Sequence, residues 1–263
     1  MLCLAITLTG TAVFGESDKA IIREKHKVVV DGVEESWILQ WTSSPSPACG
    51  PEDEDWMTCP CMGFAFGEWG DLELVRKKAG HKDERLSLTR VFGEYDADVP
   101  ATVADAPQAV LRRWDVHKDD FDEHDSPTFA ARVKARPLAR IMKFADYDHD
   151  GRATEFVLQV GTLPCGKQMS VVVGISRSNP RLHVFTSAKH PEEALALQAW
   201  HWESLRRAIT SVKVIHWPCG DHGYDGVEEY ELRADKGNIY AVRRQYECGE
   251  NGQRGRLVKR ENF

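Results

Sequence analysis

The sequence predicts a mainly β protein, built either as an irregular β-propeller-like assembly or as packed antiparallel sheets, with one or two short helices. Three observations carry this expectation. Short runs rich in β-branched and aromatic residues recur along the chain. Gly, Pro, Asn and Asp separate them. Several alternate apolar and polar residues, as half-buried antiparallel strands do.

The chain begins "MLCLAITLTGTAVFGESDKA", apolar or small until charge enters at Glu16. Val13 and Gly15 suit a signal-peptidase site, so residues 1–15 are expected to be a signal peptide. The stretch has no Lys or Arg ahead of its apolar run, and a buried β-branched strand is the alternative. An N-terminal β section follows over 16–93, with strands expected at "HKVVV" (26–30), "SWILQW" (36–41), "DLELVRKK" (71–78) and "RLSLTRVF" (85–92). Residues 94–138 are rich in Ala, Pro and acid, and read as a linker or excursion. Within them "APQAVLRRW" (106–114) has helical spacing, and "DVHKDDFDEHD" reads as a solvated acidic face.

The C-terminal β section spans 139–263. Its expected strands begin with "ARIMKFA" (139–145), "EFVLQV" (155–160), "MSVVVGI" (169–175) and "RLHVFTS" (181–187). They continue with "VKVIHW" (212–217), "EEYELRA" (228–234) and "IYAVRRQYE" (239–247), the last two joined by the hairpin turn in "ADKGNIY". "QAWHWESLRRAI" (198–209) is the second helical segment, where Trp200, His201 and Trp202 fit core and helix surface. "DGVEESWIL", "DGRATEFVL" and "DGVEEYEL" echo one another at irregular spacing. Either a degenerate repeat or the good turn geometry of Asp-Gly explains them.

A net charge of −7 argues against nucleic acid as a partner, since phosphate recognition rests on clustered Lys and Arg. No apolar run approaches the roughly 20 residues that span a bilayer. Beyond residue 15 there remain Cys49, Cys59, Cys61, Cys165, Cys219 and Cys248, an even set that favours disulfides in a periplasmic or secreted protein. "CGPEDEDWMTCPC" places a local bridge from Cys49 to Cys59 or Cys61. A zinc cluster fits less well, because no C-x-x-C pair occurs.

The strongest chemical pattern is "KFADYDHDGRATEFVLQV" (143–160). Asp146, Asp148 and Asp150 stand on alternate residues, and carboxylates so spaced in a curled loop converge on one cation. Gly151 allows the sharp turn, Arg152 offers its main-chain carbonyl with its side chain turned outward, and Glu155 is the closing carboxylate. Hard oxygen ligands point to calcium. An EF-hand is excluded, since Val157 occupies its twelfth position and the flanks read as strands.

Strand, D-x-D-x-D-G, acid, strand resembles the calcium loops of FG-GAP or VCBS-type repeats, over residues 139–160. The resemblance implies ligand roles for Asp146, Asp148 and Asp150, a carbonyl role for Arg152, and a β-propeller setting. The family carries its last acid one position earlier, where this chain has Thr154. "DHDGRATEFVLQVGTLPCGKQ", continuing to "NPRLHVFTS", is also similar to uncharacterised exported bacterial proteins.

Other patterns carry less. "GTLPCGKQ" lacks the Ser or Thr and the following helix of a P-loop, and reads as a β-turn. "GISRS" misses the last glycine of a nucleophile elbow, and "HPEEA" is not H-E-x-x-H. "PCGDHGYDG" gathers Asp221, His222 and Asp225 in one glycine-rich loop beside Cys219. The sequence therefore supports an exported, calcium-stabilised β-rich module, with a protein or glycan as its partner. The alternative is a metal-dependent or His/Asp-based hydrolase near Asp221–His222. A pocket joining that loop to further polar groups would favour the alternative, and a His222 ring packed in the core would oppose it.

Overall fold

The structure is a computed structural model that describes residues 19–95, 98–100 and 108–263. The signal-peptide expectation falls on residues outside these. The chain is mainly β, as the alternating runs predict.

The first half carries β1 (Ile21–Val30), β2 (Val33–Trp41), β3 (Ser46–Ala48), β4 (Gly67–Gly70), β5 (Leu72–Lys77), β6 (Glu84–Ser87) and β7 (Ala109–Arg112). It also carries α1 (Cys61–Phe64), α2 (Asp120–Glu123) and α3 (Phe129–Lys134). The second half opens with β8 (Glu155–Leu163), β9 (Lys167–Gly174), β10 (His183–Val184), β11 (Thr186–Ser187), β12 (His190–Ala194) and β13 (Leu197–Gln198). There follow α4 (Ala199–Arg207), β14 (Ser211–Trp217), β15 (Gly226–Asp235), β16 (Asn238–Cys248) and β17 (Arg254–Asn262).

All described pairings are antiparallel. The first sheet has the order β1-β2-β5-β6, with a small sheet β3-β4-β7 beside it. The second sheet runs β10-β9-β13 with β8 on β9, and the third runs β14-β15-β16-β17. Two-residue turns set two hairpins. Asp31–Gly32 (φ 49° and 81°) joins β1 to β2, and Lys236–Gly237 (φ 50° and 87°) joins β15 to β16. Both residues of each turn lie at positive φ, the geometry that matches the strand twist. Asp225–Gly226 makes no such turn and leads straight into β15, so the Asp-Gly echoes do not share a structure.

The β8–β9 hairpin is the centre of the molecule. Phe156, Leu158, Val160, Val171 and Val173 face the first sheet and meet Trp37, Leu39, Trp41, Leu72 and Leu74. Val172, on the opposite face, packs with Trp202 and Leu205 of α4 and with Val214, Leu232 and Ile239 of the third sheet. Burial on both faces explains why "VVV" of β9 shows no alternation.

Several expectations need correction. "APQAVLRRW" is not helical in its described part: residues 109–112 form β7, paired with β4. Ala109, Val110 and Leu111 are all buried, and periodicity does not separate such a run from a buried helix. "ARIMKFA" makes no strand beyond an isolated bridge from Ala145 to Glu155. Side chains serve its backbone instead. Arg23 donates to Ala139 O (2.8 Å), and the Glu24 carboxylate accepts from the amides of Ile141 (2.7 Å) and Met142 (3.2 Å). "RLSLTRVF" ends as a strand at Ser87 and turns into a 3₁₀ segment at Thr89–Val91.

The described part of 94–138 is an excursion that packs back. Phe129 and Val133 of α3 close over Trp56 and Phe66 in a satellite core. The acidic run there is held locally, with buried Asp120 in a two-pronged ion pair with Arg136 (2.8 and 2.5 Å).

Disulfides join Cys49 to Cys61 and Cys219 to Cys248, and Cys59 is a free, exposed thiol. Two bridges fit folding in an oxidising compartment. No helix among the described residues is long and apolar enough to cross a membrane.

Two polar groups inside the fold give measurable consequences. Glu68, 4% exposed, pairs with Arg23 (2.9 Å) and Arg113 (2.8 Å) and accepts from the Trp41 indole (3.2 Å). Glu68→Gln leaves the buried Arg23 charge uncompensated and should lower unfolding free energy by about 3–5 kcal/mol. Urea denaturation checks this, with an unchanged m value marking a stability effect alone.

His201 on α4 and His216 on β14 are buried, with ring centroids 5.4 Å apart. Burial, then the neighbouring His216, pushes His201 down to about 3. Burial, then Arg243 and Lys167, pushes His216 down to about 4. Both are neutral in the native state, whereas the unfolded chain protonates them near the ordinary histidine value of 6.5. The unfolded state thus binds more protons below that value, and their contribution to stability is lost as pH falls from about 6.5 toward 4. His201→Gln keeps a donor for Ile215 O but does not titrate. Wild type should lose stability relative to this variant across that window, measured by denaturation at stepped pH.

Candidate metal centre

The aspartate loop lies where three sheets meet, immediately before β8. Its curl needs His149 and Gly151 at positive φ (55° and 89°). Carboxylates then replace strand partners. Asp146 Oδ1 and Asp148 Oδ1 each accept from the Asp150 amide (3.1 Å), and Asp146 Oδ2 accepts from the Gly151 amide (3.0 Å). The Gly237 amide of the β15–β16 turn donates to Asp148 O (3.0 Å). Arg152 reaches Asp31 in the β1–β2 turn (3.1 Å). The His149 ring lies 3.3 Å from Arg206 O at the end of α4. The first sheet, the third sheet and α4 are all tied to this one loop.

Asp146, Asp148 and Glu155 converge, each offering a carboxylate oxygen within 4.8 Å of the other two. Asp148 and Glu155 are fully buried and Asp146 is half-buried. Glu155 Oε2 accepts from the Tyr147 amide (2.9 Å), and Oε1 lies 2.6 Å from Thr154 Oγ1. Asp148 Oδ2 has no hydrogen-bond partner among the described residues. A buried acceptor left without a donor costs about 1–3 kcal/mol, and a buried charge costs more. The electrostatics reflect this. Burial, then the nearby Asp150, pushes Asp148 up to about 7. Burial, then Asp148, pushes Glu155 up to about 9.

Asp150 and Arg152 behave differently from the sequence expectation. The Asp150 carboxylate accepts from the amides of Arg152 (2.8 Å) and Arg177 (2.7 Å) and pairs with the Arg152 guanidinium (2.8 Å). It is neutralised within the loop rather than aimed at the other two aspartates. The Arg152 side chain is not turned outward: it is 9% exposed, clamped between Asp150 and Asp31. The backbone amides at 152 and 177 draw the Asp150 carboxylate away, and the guanidinium follows it.

Sequence reasoning missed Thr154, Arg177 and the Gly237 turn. Thr154 Oγ1 lies within reach of both Glu155 Oε1 and Ile175 O, which fixes the rotamer of the closing acid. Its place beside Glu155 carried some signal. Arg177 and Gly237 are distant in sequence and carried none.

The arrangement offers hard oxygen donors alone, with one orphan oxygen inside the cluster. That donor set suits a divalent cation. The other loop singled out by sequence lies elsewhere, and a cleft joins its Asp221 and His222 to Tyr224, Glu228 and Arg243, the arrangement set out above as favouring the alternative reading. Asp221 pairs with Lys167, and the exposed His222 stands at the rim of this cleft against the third sheet.

No protein-family model matches the chain, and no curated protein or solved structure does either.

Asp148→Asn removes the orphan charge while preserving shape. In the presence of chelator at pH 8 this variant should be more stable than wild type by about 1–3 kcal/mol, the cost of the unsatisfied acceptor it relieves. Paired urea titrations measure the difference.

Proposed function

We propose that residues 146–155 form a calcium site whose ion is structural, in an exported, disulfide-bonded β module. One observation carries the reading: the fully buried Asp148 has a carboxylate oxygen without a partner, facing a cluster with Asp146 and Glu155. A cation supplies what that oxygen lacks. Asp146, Asp148 and Glu155 are its carboxylate ligands, and Arg152 contributes its main-chain carbonyl. Asp150 shapes the loop through Arg152 and Arg177.

Calcium is preferred to magnesium on ligand grounds. Magnesium holds near-ideal octahedral geometry and keeps several waters, whereas calcium accepts mixed carboxylate and carbonyl oxygens in irregular sets. A cluster with two fully buried carboxylates favours the second kind of ion. Export is supported by the two disulfides and by the apolar stretch ahead of Glu16.

Thermal and urea unfolding of the chain with calcium, magnesium or chelator tests the proposal. Free calcium at a thousandfold excess over its Kd should raise stability by about 4 kcal/mol by mass action. Magnesium at the same concentration should give much less, and Asp148→Asn should abolish the calcium increment. Equal stability of wild type in calcium and in chelator would sink the reading.

A further inference from the structure

A cleft on the other side of the β8–β9 hairpin is a separate feature. With a volume of about 720 Å³, it opens between the β8–β9 turn and the third sheet, on residues that take no part in the 146–155 cluster. That volume lies in the range of small-ligand sites.

Its aromatic component is Trp217, Tyr224, Tyr230 and Tyr95, joined by Phe263 at the C-terminal end. Trp217 is half-buried, and its ring sits edge-on to His216 (5.7 Å between centroids) and tilted toward Tyr224 (6.3 Å). The Lys167 ammonium lies over the Trp217 ring at 4.5 Å and pairs with Asp221, which fixes the indole in place.

The charged component is net acidic, since Asp98 and Glu193 also line the cleft with no salt bridge to either among the described residues. Asp221 has Lys167 as its partner. Glu228 has the Arg243 guanidinium (2.6 Å) and the Gln245 amide (3.2 Å). The buried His216 is held neutral by its surroundings. A negatively charged ligand would therefore meet like charge on this wall. The wall does present oriented polar groups, the carboxylates of Asp221 and Glu193 and the Tyr224 hydroxyl among them. Hydroxyl groups suit such a surface, since each both donates and accepts. Aromatic rings suit the C–H faces of a pyranose ring by apolar contact and weak C–H···π attraction.

From these features we propose that the cleft binds a neutral oligosaccharide, with Trp217 and Tyr224 as stacking platforms and Glu228, Arg243 and Asp221 as the hydrogen-bonding floor. The cleft holds about two to three sugar rings.

The test is titration of the full chain with maltotetraose, cellotetraose, chitotetraose and xylotetraose, and with acidic tetragalacturonate, followed by tryptophan fluorescence and calorimetry. At least one neutral probe should bind saturably, and tetragalacturonate should bind at least tenfold more weakly than that probe. Trp217→Ala and Tyr224→Ala should each weaken binding at least tenfold while the chain stays folded, as checked by far-ultraviolet circular dichroism at the titration temperature. Ile215→Ala, exposed on β14 outside the cleft, should leave it unaltered. Any of three results overturns the proposal: no saturable binding of any neutral probe at 10 mM (on the order of the weakest lectin-like affinities), affinity that survives both aromatic substitutions, or preferred binding of tetragalacturonate.

Discussion

The β8–β9 hairpin is buried on both faces, and the rest of the fold follows from that constraint. Phe156, Leu158 and Val173 require an apolar layer on one side, which β2 and β5 supply. Val172 requires one on the other, which α4 and the third sheet supply. A hairpin in this position cannot shift register by one residue without exchanging its two sets of neighbours. Gly174 reinforces the same register. A Cβ built there would lie 2.3 Å from Thr154 O, so the strand that carries Glu155 can approach closely only because the facing residue is glycine.

The entry to this hairpin is where the structure concentrates unfavourable electrostatics. Two fully buried carboxylates within 4.8 Å of a third would be a poor way to begin a central strand if nothing offset them. The same loop holds the β1–β2 turn through Arg152 and the β15–β16 turn through the Asp148 carbonyl. Charge balance at one point thereby governs the mutual placement of three sheets. A cation bound there acts on the tertiary arrangement rather than on one loop, and this is the physical sense in which the proposed ion is structural.

Legibility in the sequence followed burial pattern. Strands whose apolar residues alternate with polar ones, such as Tyr230, Leu232 and Ala234 in β15, are found. β17 lies along the edge with nearly every residue exposed, so it has no alternation to read and was not foreseen. β7 fails for the opposite reason, since three consecutive buried residues look alike to a helix period and a strand period. Residues 139–145 carry a good strand composition, yet their amides and carbonyls are taken by Glu24 and Arg23, more than a hundred positions away. In the site, the alternate spacing of Asp146 and Asp148 and the nearness of Glu155 were legible because these residues are local. The diversion of Asp150 to Arg177 was not, because its cause lies in the turn after β9.

The two candidate sites differ in the way their carboxylates are satisfied, and the difference separates their roles. Asp221 and Glu228 each have a cationic side chain in contact, so their charge is balanced by the protein and they can offer hydrogen bonds to a neutral guest. Asp148 and Glu155 have only main-chain and hydroxyl contacts, and Asp148 Oδ2 lacks even those. Arginine is not scarce nearby, since Arg152 and Arg177 both reach the loop, but both are committed to Asp150. Arg152 thus gives its charge to the third aspartate, Arg177 turns its guanidinium to the Asp150 carbonyl, and the inner carboxylates are those on which the proposed cation would act. A compact divalent ion can enter that space where a guanidinium cannot. Hard oxygen donors, two of them fully enclosed, then favour the ion that least depends on retained water.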